Sequence, residues 1–422
     1  MTREHEDAGD MPAGRAAAHL AERRRGRFRR RRTVAVVVLA SFILMVPLMV
    51  SYVGALTAPG NTSSGIRTIE WIKGHGGRGI VLTIERWWYE HHQPPIGGTV
   101  STGPLAGAAY SSDPVTGSPI PMKNLPPHTP LPKDIPPIAA DPLPREGVWR
   151  PVGPTVDGLP TEEVAYMRPD TSHTSLTAGL AWMDTRLLDG VLVGGTQVPG
   201  GSWPWGGKVP NSKRPSLAAA FNSGFLPADS NGGFYLDGRY QHELVDGGAS
   251  MVFYRDGHVS VGAWGRDFTM SSDIVGVRQN IQLIVDNGAP VPELSNDSYE
   301  LWGATLGNAV MVWRSGVGVD KNGGLIYVSG PGLSITALAR LLARAGCVRA
   351  MELDINTEWT SFIYYNHYGD SLSPQELLPE MFRSEFRYLT PDDRDFVAMF
   401  VRKAVTASPS PSAISPAPAP SP

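Results

Sequence analysis

The longest apolar stretch lies near the N-terminus. From Thr33 to Ile66 there is no Asp, Glu, Lys or Arg, and Val34–Val53 is interrupted only by Ser41, Pro47, Ser51 and Tyr52. About twenty residues at helical rise cover a bilayer's hydrocarbon core, so the pattern predicts one transmembrane helix over 34–56. Beyond it, Ile66, Ile69 and Ile72 fall at helical spacing beside Trp71, and Ile80–Ile84 reads as a short strand. Together these make a membrane-proximal helix/strand segment over 57–93. From 94 to 154 the periodicity disappears and prolines recur, as in Pro126-Pro127 and Pro136-Pro137. That stretch predicts a semi-rigid spacer, or a segment wrapped on the following domain.

Over 155–404 short strand-like runs alternate with turn signals. The runs include Ser250–Tyr254, Val259–Ala263, Gln282–Val285, Val310–Trp313 and Leu325–Val328. Asp237-Gly238, Asp256-Gly257, Asn287-Gly288 and Asn322-Gly323 lie between such runs and suit tight hairpins with positive φ. Leu217–Ala220 is small and helix-prone. One helix is well marked: Ser334 stands at the N-cap, Ile335, Leu338, Leu342 and Ala345 form a stripe, and Gly346 is placed for the C-cap. A strand, Val348–Asp354, follows it. The expected fold is α+β, a strand-rich mixed-sheet domain with a few helices, preceded by one N-terminal transmembrane helix. A tail of Ala, Ser and Pro over 405–422 is expected to be disordered.

Composition agrees with this layout. The 422 residues are 41% apolar and 18% charged, ample for a folded core, and 47 glycines with 38 prolines argue for many turns. Charge is distributed unevenly. Residues 1–33 hold ten arginines against five acidic residues, a net of +5, so with −3 overall the remainder carries −8. The basic flank before the apolar run keeps 1–33 cytoplasmic and exports the chain beyond the helix. A cleaved signal peptide ending near Val53-Gly54-Ala55 is the alternative, although the apolar run is longer than such peptides use. The expected location is the plasma membrane, single-pass, in a bacterial cell envelope. A nucleic-acid protein would carry its basic residues on the folded part, and this chain does not. Cys347 is the single cysteine, which excludes an intrachain disulfide. It lies between a helix end and a strand expected to be buried, which disfavours it as a nucleophile.

Candidate chemistry concentrates in a few places. Gly74–Gly79 matches G-x-G-x-x-G, but it follows a helical pattern and precedes a strand-like one, the reverse of a dinucleotide site. Trp87-Trp88-Tyr89 is read as a membrane-interface or packing element before a sugar platform. His91-His92, His173, His242 and His258 lack metal-ligand spacing, so no metal and no cofactor is expected. Strand alternation places Glu352 and Asp354 on one face. Glu352 is read as an exposed or paired strand residue. Asp354, at the strand end before Asn356, is a site residue or a turn former. Asn222 and Gly224, between Phe221 and Phe225, form either a turn or a backbone-and-amide site. Arg314 suits bidentate phosphate binding or a surface ion pair. Trp203 and Trp205, flanked by glycines, either stack on a pyranose or pack in the core.

From about Val164 to Phe362 these elements resemble, in order, the phosphodiester glycosidase family. Its best-known member removes N-acetylglucosamine from a phosphodiester on a mannose. Phe221-Asn222-Ser223-Gly224-Phe225 is similar to the family's Ile-Asn-Gly-Gly-Phe-Phe block. Arg314–Val319 followed by Asp320–Gly323 resembles its Arg-Thr-Ala-Ile-Gly, Asp-Gly hairpin, and Gln282–Val291 another of its hairpins. The helix from Ser334 and the strand to Leu353-Asp354 resemble the helix that leads to Leu-Asp-Gly-Gly-Gly-Ser. Two departures stand out: Ile355-Asn356-Thr357 replaces the glycine triplet, and Ser223 replaces one glycine. Ser361 lies several residues from the family's serine and is not carried over. The resemblance implies hydrolysis of a sugar-1-phosphodiester in an envelope glycan or related polymer. It assigns Asp354 to the oxocarbenium-like sugar, Arg314 to the phosphate and Asn222 to a sugar hydroxyl. Gly224, Phe225, Asn356, Trp203 and Trp205 then line the substrate. The alternative is a catalytically inactive glycan-binding or scaffold protein of the same fold. The sequence leaves the oligomeric state open.

Overall fold

The computed structural model describes residues 13–58, 60, 62–101, 103–106, 128–294, 311–369 and 371–402. The tail expected to be disordered and the middle of the proline-rich stretch lie outside them. The chain divides into two units, Met1–Ala58 with Ser63–His75, and Pro59–Thr62 with Gly76–Pro422.

In the first unit, α1 (Ala13–Thr57) is followed by α2 (Ser64–Ile72). The stretch Arg30–Thr57, 28 residues long, is apolar enough to cross a membrane. Arg67 donates to the carbonyls of Ala55 at 3.3 Å and Leu56 at 3.1 Å, satisfying the end of α1.

The chain after α2 differs from the sequence expectation. A π-helical turn, Lys73–Gly77, continues directly into α3 (Arg78–His91), so Ile80–Ile84 is helical and not a strand. A five-residue apolar run carries no period of its own, and here the helix already under way decides it. The glycine run therefore has helix on both sides.

The remainder is built on three antiparallel sheets. The eight-stranded sheet runs in the order β1 (Arg150–Val156), β2 (Leu159–Met167), β3 (Ala178–Met183), β14 (Leu325–Leu333), β13 (Val312–Asp320), β15 (Cys347–Glu352), β11 (Leu283–Asp286) and β12 (Ala289–Pro290). A five-stranded sheet follows the order β7 (Arg239–His242), β6 (Phe234–Leu236), β10 (Ile274–Gln279), β8 (Ala249–Tyr254), β9 (Val259–Ala263). The other five-stranded sheet is β17 (Ser371–Glu376), β16 (Phe362–Tyr368), β5 (Leu217–Asn222), β18 (Phe396–Val401), β4 (Leu188–Val193). One core cluster joins all three, with Val164, Phe253 and Phe221 among its members. Among the described residues, the α-helices set between these strands are the one-turn α4 (Pro227–Ser230) and α5 (Ile335–Arg344).

The marked helix forms as its sequence predicts, with Ser334 Oγ accepting from Ala337 N at 3.1 Å and Gly346 at φ +104°. Asp237-Gly238 (φ 49°, 81°) and Asn287-Gly288 (φ 49°, 77°) make the expected hairpins with two left-handed residues each. Leu217–Ala220 is a strand instead of a helix. It lies between β16 and β18, and core clusters cover both its faces, which suits small side chains and overrides their helix propensity. Residues 128–149 pack on the domain: Ile135 and Trp149 are buried in its second cluster, and Thr129 Oγ1 donates to Asp184 Oδ1 at 2.8 Å. Folding thus begins inside the proline-rich stretch, because β1 is an edge strand, where Pro151 and Pro154 are tolerated.

On β2, Glu162 is fully buried against Gly153 and neither carboxyl oxygen has a hydrogen-bond partner. Burial pushes its pKa well up from 4.5. Above the unfolded pKa the folded state holds a proton that the unfolded state has lost, so this group makes stability fall as pH rises. Glu162→Gln removes that dependence. Its stability gain over wild type should grow by about 1.4 kcal/mol per pH unit from pH 5 upward, until the folded carboxyl ionises. Urea denaturation at several pH values measures it, and a pH-independent difference contradicts it.

Candidate functional site

β5 ends at Asn222, whose amide is a meeting point of several segments. Its Nδ2 donates to Ser223 O and Ser315 Oγ, each at 3.0 Å. Its Oδ1 accepts from Tyr327 Oη at 2.8 Å and from Ser361 N at 3.0 Å. Two donors and two acceptor positions are the whole capacity of an amide side chain. Asn222 is therefore saturated within the protein, and it ties β5 to β13, β14 and the approach to β16.

Asp354 hangs from this junction, two residues past the end of β15. Its N donates to Ser223 O at 3.1 Å, and its carbonyl accepts from Ser315 Oγ at 2.7 Å. The carboxylate accepts from Asn356 N at 2.9 Å through Oδ1, while Oδ2 lies 3.9 Å from Arg394 Nη1. Asp354 is 5% exposed. Burial raises its pKa, and the charges of Arg394, Arg387 and Arg278 work against that rise. Asn356, half-buried, accepts from Glu358 N at 3.0 Å and closes the turn after the aspartate.

Arg314 and Glu352 face one another across the β13–β15 pair. Arg314 Nη1 is 2.5 Å from Glu352 Oε1, and its Nε donates to Leu333 O at 2.9 Å. Both are buried, so the pair is internal and not on the surface. Burial pushes Glu352 up to about 7, against the lowering influence of Arg314. The expected Glu352 partner is thus Arg314 itself.

Sequence reasoning missed a second group of charges that closes over Asp354. Arg387 pairs with Asp392 at 2.6 Å and donates to Trp359 O at 2.7 Å and Ser361 Oγ at 2.8 Å. Arg278 pairs with Asp395 at 2.7 Å. The buried Trp359 ring lies beneath three guanidinium groups, 4.5 Å from Arg394, 5.2 Å from Arg383 and 5.5 Å from Arg387. A signal was present: in a chain with few charges, Arg383, Arg387, Asp392, Asp393, Arg394 and Asp395 crowd into one short segment. Ser361 also belongs to the network, 2.7 Å from Tyr388 Oη.

Three buried polar atoms beside Asp354 have no hydrogen-bond partner: Ser223 Oγ, Asn280 Oδ1 and Glu352 Oε2. Asn280 is held by its other amide atom, which donates to Glu352 O at 2.7 Å. A Cβ on Gly224 would stand 3.3 Å from Asn280 Cγ, so a glycine lets the chain pass here. Phe225 packs with Val312 and Ile355 in a small apolar cluster.

Trp203 and Trp205 have no described contact with this group. Trp203 is buried, with Arg239 stacked 3.6 Å from its ring centroid and Phe234 at 5.4 Å. Trp205 is half-buried, edge-on to Phe400, and both tryptophans line a cavity of about 610 Å³ with Asp189, Tyr254 and Asp256. Cys347 opens β15, fully buried, and burial pushes its thiol pKa up. Among the described residues no three His, Cys, Asp or Glu side chains gather in a way that could hold a metal ion.

Asn222→Ala strands Tyr327 Oη and Ser361 N–H without their acceptor. We expect a loss of about 3 kcal/mol in unfolding free energy, from two buried groups at 1–3 kcal/mol each. Urea denaturation checks this, and a change below about 0.5 kcal/mol contradicts the role.

Comparison with known proteins places this geometry in context. Residues 216–354 match the family model described as phosphodiester glycosidase. No match was found among curated proteins. Among solved structures, the catalytic domain of zebrafish N-acetylglucosamine-1-phosphodiester alpha-N-acetylglucosaminidase is similar at 16% identity and a TM-score of 0.38, over 58% of this chain and 84% of that one. A hypothetical protein from Synechocystis is similar at 13% identity and a TM-score of 0.34, over 60% of this chain and 64% of that one. The kinship with the phosphodiester glycosidases that the motifs pointed to is shown over residues 216–354, the stretch that carries Asn222, Arg314 and Asp354.

Proposed function

We propose that this chain hydrolyses a sugar-1-phosphodiester in an envelope glycan, held at the plasma membrane by α1 with the folded unit outside. One observation carries the reading: a buried carboxylate, Asp354, has an arginine, Arg394, as one kind of neighbour and residues with unpartnered polar atoms, Ser223 and Glu352, as another. A glycosyl phosphodiester needs the same division. Its phosphate calls for cationic donors and its sugar for hydrogen-bond acceptors.

Phosphate is already a good leaving group, so protonation by a strong general acid is secondary. The demand falls on positive charge developing at the anomeric carbon, which Asp354 stabilises from close range in a site with little water. Arg394 is paired with that carboxylate and takes the phosphate in this reading. Arg314, expected for that task, instead holds Glu352. Asn222 acts by position, since its amide is saturated, while Ser223, Asn280 and Glu352 Oε2 face the sugar's donors.

A second reading, a glycan-binding protein without turnover, draws on Ile355. It is buried with Phe225 and Val312, where the family has flexible glycine.

The deciding comparison uses the full-length protein in detergent, wild type and Asp354→Asn, against a panel of sugar-1-phosphodiesters that includes UDP-N-acetylglucosamine. Wild type should release free sugar, and the variant should lose at least about 10²-fold in rate while keeping its circular dichroism. Ionised Asp354 is lost as pH falls through its raised pKa, so the acid limb of kcat/KM should lie above the ordinary aspartate range. Unchanged turnover in the variant refutes the assignment, and sugar binding without turnover favours the second reading.

A further inference from the structure

α3 presents its apolar side outward. Ile80, Ile84, Trp87 and Trp88 are 67%, 62%, 55% and 52% exposed. At about 100° per residue these four positions fall within roughly 100° of one another, a single stripe along the helix. Arg78 lies about 160° from Ile80 on the same wheel, and it donates to Asp229 at 2.6 Å. The helix is therefore tied to its domain through a charged residue on the side away from the stripe. A surface helix of a globular domain normally does the reverse.

The two indoles are also held in place. His91 stacks on Trp87 at 4.9 Å and His92 on Trp88 at 3.7 Å between ring centroids. Each His Nδ1 lies within hydrogen-bonding distance of the carbonyl one turn back, at 2.7 Å and 2.8 Å. Ordered tryptophans beside isoleucines suit the boundary between headgroups and acyl chains, where an indole buries its ring and keeps its N–H wet. The same chain supplies the membrane, since α1 is long and apolar enough to span one and only α2 and the π-helical turn intervene.

We infer that α3 is an interfacial helix, lying on the lipid surface with Ile80, Ile84, Trp87 and Trp88 inserted. Its charges settle the kind of lipid. Arg78 and Arg86 are balanced by Glu85 and Glu90, so insertion rests on apolar area and needs no anionic headgroup.

The test uses the full chain reconstituted in phosphatidylcholine vesicles, with and without lipid brominated near the headgroup. Subtracting the emission of a Trp87→Phe/Trp88→Phe variant isolates the two indoles. We expect that difference emission to be blue-shifted and to lose most of its intensity to the brominated lipid, equally at low and high salt. Ile80→Glu/Ile84→Glu should abolish the quenching while leaving the circular dichroism unchanged. Unquenched emission at the wavelength of water-exposed indole overturns the inference. So does unquenched but blue-shifted emission, which would mean that protein covers the stripe. Quenching that appears only with added anionic lipid overturns it as well.

Discussion

Everything at the candidate site depends on the amide of Asn222. Of the four hydrogen bonds at this side chain, one goes to the adjoining Ser223 O and three fasten the end of β5 to Ser315 on β13, to Tyr327 on β14 and to the backbone at Ser361. Two sheets are thereby pinned together through their central strands. The chain leaving β15 has little freedom in that frame: Asp354 N meets Ser223 O, and Ser315 Oγ, which receives one bond from Asn222, gives another to Asp354 O. In a low-dielectric interior such a fully satisfied network is rigid, and a partly satisfied one is costly. The residue is positioned through its backbone by Ser223 and Ser315, while its carboxylate takes one hydrogen bond from Asn356 N and faces Arg394.

Charge completes the arrangement. A buried carboxylate is held up in pKa by desolvation and held down by cations, and Asp354 experiences both. The cations would repel one another without their own counterions. Asp392 and Asp395 supply these to Arg387 and Arg278, and Trp359 offers its face to three guanidiniums at once. Glu352, at the end of the strand that Asp354 leaves, forms an internal pair with Arg314 on the neighbouring strand. The result is a wall of paired charges beside Asp354, its arginines held by structural partners of their own.

Local signals were legible in the sequence where one segment decides its own shape. The Ser334 cap, the apolar stripe and Gly346 mark α5, and Asp237-Gly238 and Asn287-Gly288 mark hairpins, because the required φ values are written into those residue types. Leu217–Ala220 was misleading, since small residues favour helix locally and the surrounding clusters demand a strand. Asp354 was legible as a strand-end carboxylate and by family motif. The partners of Arg314 and Asn222 were not, because they come from strands whose register no single segment specifies. Nor was the Arg383–Asp395 wall, whose arginines meet Trp359 from a distant part of the chain only once it folds.

The central claim is that the bond broken joins the anomeric carbon to oxygen, not phosphorus to oxygen. Turnover in water enriched in oxygen-18, followed by mass spectrometry of both products, addresses it directly. The account predicts the label in the released sugar and none in the phosphate. Label in the phosphate would contradict it and make Asp354 part of a phosphoryl-transfer site.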